Sequence, residues 1–144
     1  MAQRLKSVSM RIPELAYVIE DDPITSVVTE LIIKKNLGCT KVQKYANGLK
    51  AFDQLKAALR DEEGIPDLIL LDLNMPMMDG WEFLDAIADF SLGSKVCVFI
   101  LTSSIQPDDM EKSKHYVEVK GYFSKPLNKA NIARMQQLFE EATY

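Results

Sequence analysis

The stretch from Asp67 to Gly80 constrains this chain more than any other. Leu68 to Leu71 form an unbroken apolar run with no polar alternation. Such a run reads as a strand buried on both faces, as at the centre of a parallel sheet. Asp72 ends it. Pro76 and the Asp79-Gly80 pair then turn the chain before helical periodicity resumes. Asp72 is therefore expected at the carboxyl end of a central strand, facing the crevice where open α/β sheets bind ligands. The competing reading of this acid is a plain turn starter or helix cap, and the rest of the chain decides between them.

Upstream, Leu15 to Ile19 form a short apolar strand that ends in Glu20-Asp21-Asp22-Pro23. Asp22 suits a helix N-cap with Pro23 at the first helical position. Ile24, Val27, Val28, Leu31 and Ile32 then recur at helical spacing, a stripe that reads as the core face. Asn36-Leu37-Gly38 closes that helix. Lys41 to Tyr45 alternate, which fits a half-exposed edge strand. Asn47-Gly48 opens a second helix with Leu49, Phe52, Leu55 and Leu59 on one side. Phe83, Leu84, Ile87 and Ala88 mark a third.

Ser91-Leu92-Gly93-Ser94 breaks the third helix, and Lys95 to Leu101 make a second apolar strand ending at Thr102-Ser103-Ser104. Pro107-Asp108-Asp109 starts a short polar helix whose one clear apolar residue is Met110. Gly121 to Ser124 are a last strand, stopped by Lys125-Pro126. Asn128 caps a final helix with Ile132, Met135, Leu138 and Phe139 inside. Five strand–helix pairs of this length predict an α/β fold, a doubly wound (βα)5 with a five-stranded parallel sheet. Right-handed crossovers and two central apolar strands favour the order 2-1-3-4-5.

The 144 residues suit one domain, taken as 15–144. Residues 1–14 form a basic N-terminal extension with no apolar signal core, expected to be flexible. The net charge of −4 argues against non-specific nucleic-acid binding. No apolar run approaches the roughly 20 residues of a membrane span. Cys39 and Cys97 lack metal-type spacing and read as buried free thiols, as in a reducing cytoplasm.

In this topology all five strand ends open on one rim. They deliver Glu20, Asp21, Asp22, Asp72, Thr102 and Lys125 to it. Several carboxylates in one crevice repel one another, and a divalent cation relieves that repulsion. Oxygen-only donors suit Mg²⁺ or Mn²⁺. A lysine supplies a point charge for a phosphoryl group and a threonine a hydroxyl donor. Around a central aspartate these groups form a phosphoryl-transfer constellation, with the aspartate itself as nucleophile.

Four motifs carry a resemblance to a known family: Val18 to Asp22, Leu70 to Gly80, Leu101-Thr102-Ser103, and Gly121 to Pro126. Together, over residues 15 to 142, the chain resembles the receiver domain of response regulators in two-component signalling. The resemblance implies flavodoxin-like topology and Asp72 as a phosphoacceptor charged from a phosphohistidine. It implies Mg²⁺ held by Asp21, Asp72 and the backbone carbonyl of Asn74, with Glu20 acting through water. It also implies Thr102 and Lys125 on the phosphoryl group, Tyr122 at an aromatic switch position and a cis Lys125-Pro126 bond. The expected partners are a sensor histidine kinase or histidine phosphotransfer protein and a downstream protein target, read through the face of the fourth helix, last strand and last helix. No nucleic acid, membrane or DNA-binding output domain is expected, and the expected state is a monomer or a phosphorylation-linked dimer. On this reading the chain is a cytoplasmic signalling phosphoacceptor rather than an enzyme.

Several residues read more plainly. Asp22 is a cap rather than a ligand. Met75, Met77 and Met78 are loop packing, and His115 is exposed on a polar helix with no role. Ser104 is small where some relatives carry a larger polar group, which leaves the phosphate lifetime open. Two other classes compete. A Mg²⁺-dependent phosphohydrolase would want a second aspartate two residues after the nucleophile, where Asn74 stands. A flavodoxin-like cofactor binder would want a Gly, Ser or Thr cradle where the first loop is acidic.

Overall fold

Five short strands of alternating facing build the sheet. A computed structural model describes residues 11–92, 95–103 and 106–142. The strands are β1 (Leu15–Ile19), β2 (Lys41–Tyr45), β3 (Leu68–Leu71), β4 (Cys97–Thr102) and β5 (Val119–Ser124). All pairings are parallel, in the order β2-β1-β3-β4-β5. The helices are α1 (Pro23–Ile32), α2 (Gly48–Asp61), α3 (Gly80–Ala88), α4 (Pro107–Ser113) and α5 (Lys129–Glu141). This is the flavodoxin-like doubly wound arrangement read from the sequence.

Every residue of β1, β3 and β4 is buried. Successive side chains of a strand point to opposite faces, and here both faces are covered. Tyr17, Ile19, Ile69, Leu71, Val98 and Ile100 pack with Ala51 and Leu55 of α2 and with Phe83, Leu84 and Ile87 of α3. Ala16, Val18, Leu70, Phe99 and Leu101 pack with Ile33 and Leu37 and with Met135 and Phe139 of α5. β2, at one edge, is largely exposed. The strand reading started β4 two residues early and β5 two residues late, but kept the order.

The helix ends follow the capping signals. Asp22 accepts from the Thr25 N–H, Asn47 from Lys50 and Asn128 from Asn131. Asp79 and Glu82 complete a reciprocal capping box at the start of α3. The end of the first helix widens into a π-helical turn, Ile33–Leu37, closed by Gly38 in the left-handed region.

The facing of α1 departs from the sequence reading. Ile24 is 75% exposed and Leu31 60%, and Val27 and Val28 are also exposed, while Ser26 and Thr29 are buried. The short connection from β1 and the Asp22 cap fix the rotation of this helix. They turn Ser26, Thr29 and, one turn further on, Ile33 to the sheet and leave the aliphatic stripe outside. A smaller rotation affects α2. Leu49 is exposed and Ala51 and Ala58 are buried in its stead, while Leu55 is buried and Phe52 and Leu59 are half-buried as expected. In α3, Ala88 is exposed; in α5, Met135 and Phe139 are buried and Ile132 and Leu138 half-buried.

Residues 1–10, including most of the basic extension, and Ser104 lie outside the described residues. Arg11 to Glu14 are held by Asp67, whose carboxylate accepts from the Glu14 and Leu15 N–H groups and pairs with Arg11 at 3.5 Å. Cys39 and Cys97 are buried free thiols. Burial pushes the Cys97 thiol up to about 12.

One glycine ties α3 to the loop after β3. A Cβ on Gly80 would stand 2.6 Å from the Asp72 carbonyl oxygen and 2.8 Å from the Leu73 Cα. Ala normally stabilises a helix over Gly by about 1 kcal/mol. Backbone crowding of this kind typically costs about 1–3 kcal/mol, so it should win. Gly80→Ala is expected to lower the urea midpoint of unfolding, with an unchanged m-value, rather than raise it.

Candidate functional site

The carboxyl ends of the strands hold their polar residues by continuing the backbone ladder one residue past each strand. The Glu20 N–H donates to the Tyr45 carbonyl at 2.9 Å, and the Asp72 N–H to Ile19 at 3.0 Å. The Lys125 N–H donates to the Thr102 carbonyl at 2.8 Å. Each side chain therefore leaves a backbone as fixed as the sheet itself.

These side chains converge. Carboxylate oxygens of Glu20, Asp21 and Asp72 all lie within 4.8 Å of one another. Glu20 and Asp72 are buried, at 6% and 7% exposure, and Asp21 is exposed at the mouth. The Lys125 ammonium donates to Glu20 Oε1 and sits 3.5 Å from Asp72 Oδ2. Glu20 Oε2 also accepts from the Asp22 N–H at 3.2 Å. Burial is the largest influence on Glu20 and pushes its carboxyl up to about 7, against the pull of Lys125 and with a further push from Asp72.

Thr102 is fully buried on the last position of β4. Tyr122 pairs in register with Ile100, two residues before Thr102 on the same face of the sheet. The ring is half-buried against the core on the α2–α3 side. Burial first, and Asp109 second, raise its phenol above the ordinary value. Asn74 is exposed in the loop after β3. The Lys125-Pro126 peptide is cis. Asp22 spends its carboxylate on the α1 cap, with its pKa lowered by Thr25. His115 is exposed, and its ring lies 3.3 Å from the Lys112 carbonyl. Met75 and Met78 pack on the core, whereas Met77 is 76% exposed in the left-handed region.

The donor set fits a hard divalent cation. Three carboxylates within 4.8 Å face one ammonium, so ionisation of all three leaves an excess of negative charge. Oxygen donors of this kind select Mg²⁺ or Mn²⁺ over thiophilic metals.

Two features were not legible in the sequence. The direct Lys125–Glu20 contact joins residues 105 positions apart, and no local pattern signals it. A second cluster pins the end of α4 to α3. The Lys112 ammonium lies 4.5 Å over the Trp81 ring, and the Tyr116 hydroxyl donates to Asp85 at 2.6 Å. The Trp81 and Tyr116 rings are 5.9 Å apart.

Comparison with known proteins agrees with this geometry. Residues 16–137 match the model of the response regulator receiver domain. The chain belongs to that family. It is 30% identical over 129 residues to response regulator Rcp1 of Synechocystis sp., covering 89% of this chain and 87% of that protein. A two component response regulator from Cytophaga hutchinsonii superposes with a TM-score of 0.80 at 27% identity, covering 92% of this chain and 98% of the other. The Mn²⁺-bound form of Rcp1 superposes with a TM-score of 0.68 at 29% identity, covering 87% and 90%. Some relatives run longer: the chain spans 39% of the nitrate/nitrite response regulator NarL of Escherichia coli. As in other receiver domains of response regulators, histidine kinases and downstream targets are the class of partner. Among the described residues no helix is long and apolar enough to cross a membrane.

The raised Glu20 pKa has a definite sign. A carboxyl that holds its proton more tightly folded than unfolded contributes stability at low pH, and that contribution is lost as pH rises through its folded value. In metal-free buffer the urea midpoint is expected to carry a component that falls between about pH 4.5 and about pH 7. Glu20→Gln should flatten that component. A slope identical in the two proteins over this window would assign it elsewhere.

Proposed function

We propose that this chain is a phosphoacceptor that takes a phosphoryl group on Asp72 from a phosphohistidine, with Mg²⁺ bound at Glu20, Asp21 and Asp72. The observation that carries this reading is the convergence of three carboxylates and one ammonium at the end of the central strand. An Asp72 carboxylate oxygen attacks phosphorus in line; the P–N bond to the donor imidazole breaks as the new O–P bond forms, and the imidazole leaves with the bonding pair. The buried position of Asp72 orients the attack. Lys125, already 3.5 Å from Asp72, passes from a carboxylate partner to the incoming phosphoryl oxygens. Thr102 donates its hydroxyl to the same group.

Asp21, Asp72 and the Asn74 backbone carbonyl would hold the cation directly, and Glu20 would hold it through water, as the resemblance implies. The cation, when bound, neutralises charge on the phosphoryl oxygens that would otherwise be repelled by the carboxylates. The Mn²⁺-bound state of Rcp1, named for that protein, supports a divalent site here. The chain catalyses only its own phosphorylation and hydrolysis, and works in the cytoplasm.

The outward face of α1 supports docking of a donor protein at this rim. Ile24, Val28 and Ile32 line an apolar cleft of about 250 Å³ with Leu101, Leu127 and Lys125. A helix packed there would be held next to the residues that receive the phosphoryl group. The output follows from the other side. When Thr102 moves to the phosphoryl group, the space beside it admits Tyr122, and the α4–β5–α5 surface changes.

Two measurements test this reading. Asp72→Asn should abolish acid-labile labelling by acetyl phosphate or a phosphohistidine donor; label retained at the same stoichiometry would rule out Asp72. Trp81 stands in the first turn of α3, close to the site loop, and should report Mg²⁺ by fluorescence. Asp21→Ala is expected to weaken that titration by at least about tenfold, in line with the loss of a charged ligand; an unchanged curve would remove Asp21 from the ligand set.

A further inference from the structure

α1 turns its apolar side away from the core. Ile24, Val27, Val28 and Leu31 are all exposed, and among the described residues no other helix exposes more than one large hydrophobic side chain. The four recur at helical spacing along one face. The cleft beside Lys125 uses Ile24, Val28 and Ile32, which leaves Val27 and Leu31 outside it. Single exposed aliphatic residues are ordinary, but a continuous stripe marks an interaction surface.

The two ends of this stripe carry opposite charge. At the amino end Asp21 is exposed, and Asp22 holds the helix cap. At the carboxyl end stand Lys34 and Lys35, in the π-helical turn. Lys34 is committed: it pairs with Glu30 at 3.0 Å, and Glu30 also holds Lys44 at 2.9 Å. Lys35 is exposed and, like Asp21, makes no ion pair among the described residues. A face with an acid at one end, aliphatic residues in the middle and an uncommitted lysine at the other is complementary to itself turned end for end.

We infer that the outward face of α1 is an interface between two copies of this chain, crossed antiparallel at Val27 and Val28, in which Ile24 of each copy packs on Leu31 of the other and Lys35 of each meets Asp21 of the other. A two-fold axis lets one patch serve both sides. A crossing near about 20° keeps the helix ends within reach of one another. Parallel packing would put acid on acid and lysine on lysine. The charges therefore fix the direction, and the aliphatic centre supplies the affinity. One helix face is small beside the roughly 800 Å² per partner of a standard interface, so the dimer belongs to the weak, reversible class. The second copy brings its Lys35 to the acidic rim and covers the cleft beside Lys125, so a dimer and a docked phosphodonor protein exclude each other. That consequence rests on the phosphoacceptor reading. The dimer itself does not, and unlike a phosphorylation-linked dimer it forms without phosphate.

Sedimentation equilibrium of the whole, unphosphorylated chain in metal-free buffer tests this, from micromolar to millimolar concentration. A reversible monomer–dimer equilibrium is expected. Leu31→Glu, Lys35→Glu and Asp21→Lys should each weaken it at least about tenfold. A homodimer of either charge variant repeats a like-charge contact twice. An equimolar mixture of the Lys35→Glu chain with the Asp21→Lys chain instead pairs opposite charges at both contacts. The mixture should recover association to within about threefold of the parent, which also shows that both variants are folded. An unchanged dimer in Lys35→Glu, or a mixture no tighter than its components, would overturn the inference. So would a chain that stays monomeric throughout, which leaves the α1 face to a phosphodonor protein alone. None of these measurements needs Asp72 to be labelled, so failure of the dimer and failure of the phosphoacceptor reading are separate results.

Discussion

Three carboxylates held against one ammonium are the interaction on which the site depends. Like charges about 4 Å apart repel by about 4 kcal/mol at an effective dielectric near 20. A free chain would relax such a cluster at once. Here it cannot relax, because Glu20, Asp72 and Lys125 each continue a backbone ladder into the neighbouring strand. The sheet thus converts packing of apolar side chains on both faces into a fixed electrostatic demand at one rim. That demand favours a cation at the rim, where Lys125 is shared between Glu20 and Asp72.

The same logic explains the glycine at the start of α3. The loop from Asp72 to Asp79 must return close enough for the Gly80 N–H to reach the Leu73 carbonyl at 2.9 Å. A side chain at Gly80 would occupy the place of the Asp72 carbonyl. The Asp79 cap then sets the helix direction. Local rules of turn and cap chemistry therefore decide where the Asp72 carboxylate stands, well before any long-range contact does.

That is why so much of the fold could be read from residue order. A run such as Leu68 to Leu71 is buried whichever way it turns, so its burial carries no ambiguity, and caps at Asp22, Asn47, Asp79 and Asn128 mark helix starts by a local hydrogen bond. Periodicity is weaker where direction matters. Ile24, Val27, Val28 and Leu31 do lie on one face of α1, but a stripe records only that a face is apolar, not what it meets. The rotation of α1 is set by the three-residue connection from Ile19 to Pro23 and by the depth of the sheet at Ser26 and Thr29. Both are tertiary quantities. The Lys125–Glu20 pair was unreadable for a related reason: it joins two strand ends 105 residues apart, and no local pattern sets that approach.

The site and β5 are joined by more than proximity. Thr102 and Tyr122 lie on one face of adjacent strands, so on the phosphoacceptor reading a hydroxyl drawn toward Asp72 would change the packing around that ring. The far end of α4 has little room to follow. Lys112 over Trp81 and Tyr116 on Asp85 fasten it to α3, whose first turn abuts the Asp72 loop. On the phosphoacceptor reading, with the far end of α4 held, a change at Thr102 would be taken up at the start of the helix rather than by sliding it whole. Such a two-ended constraint favours discrete arrangements over gradual drift, which is what a phosphoryl group of modest binding energy needs if it is to alter a surface on the other side of the strand.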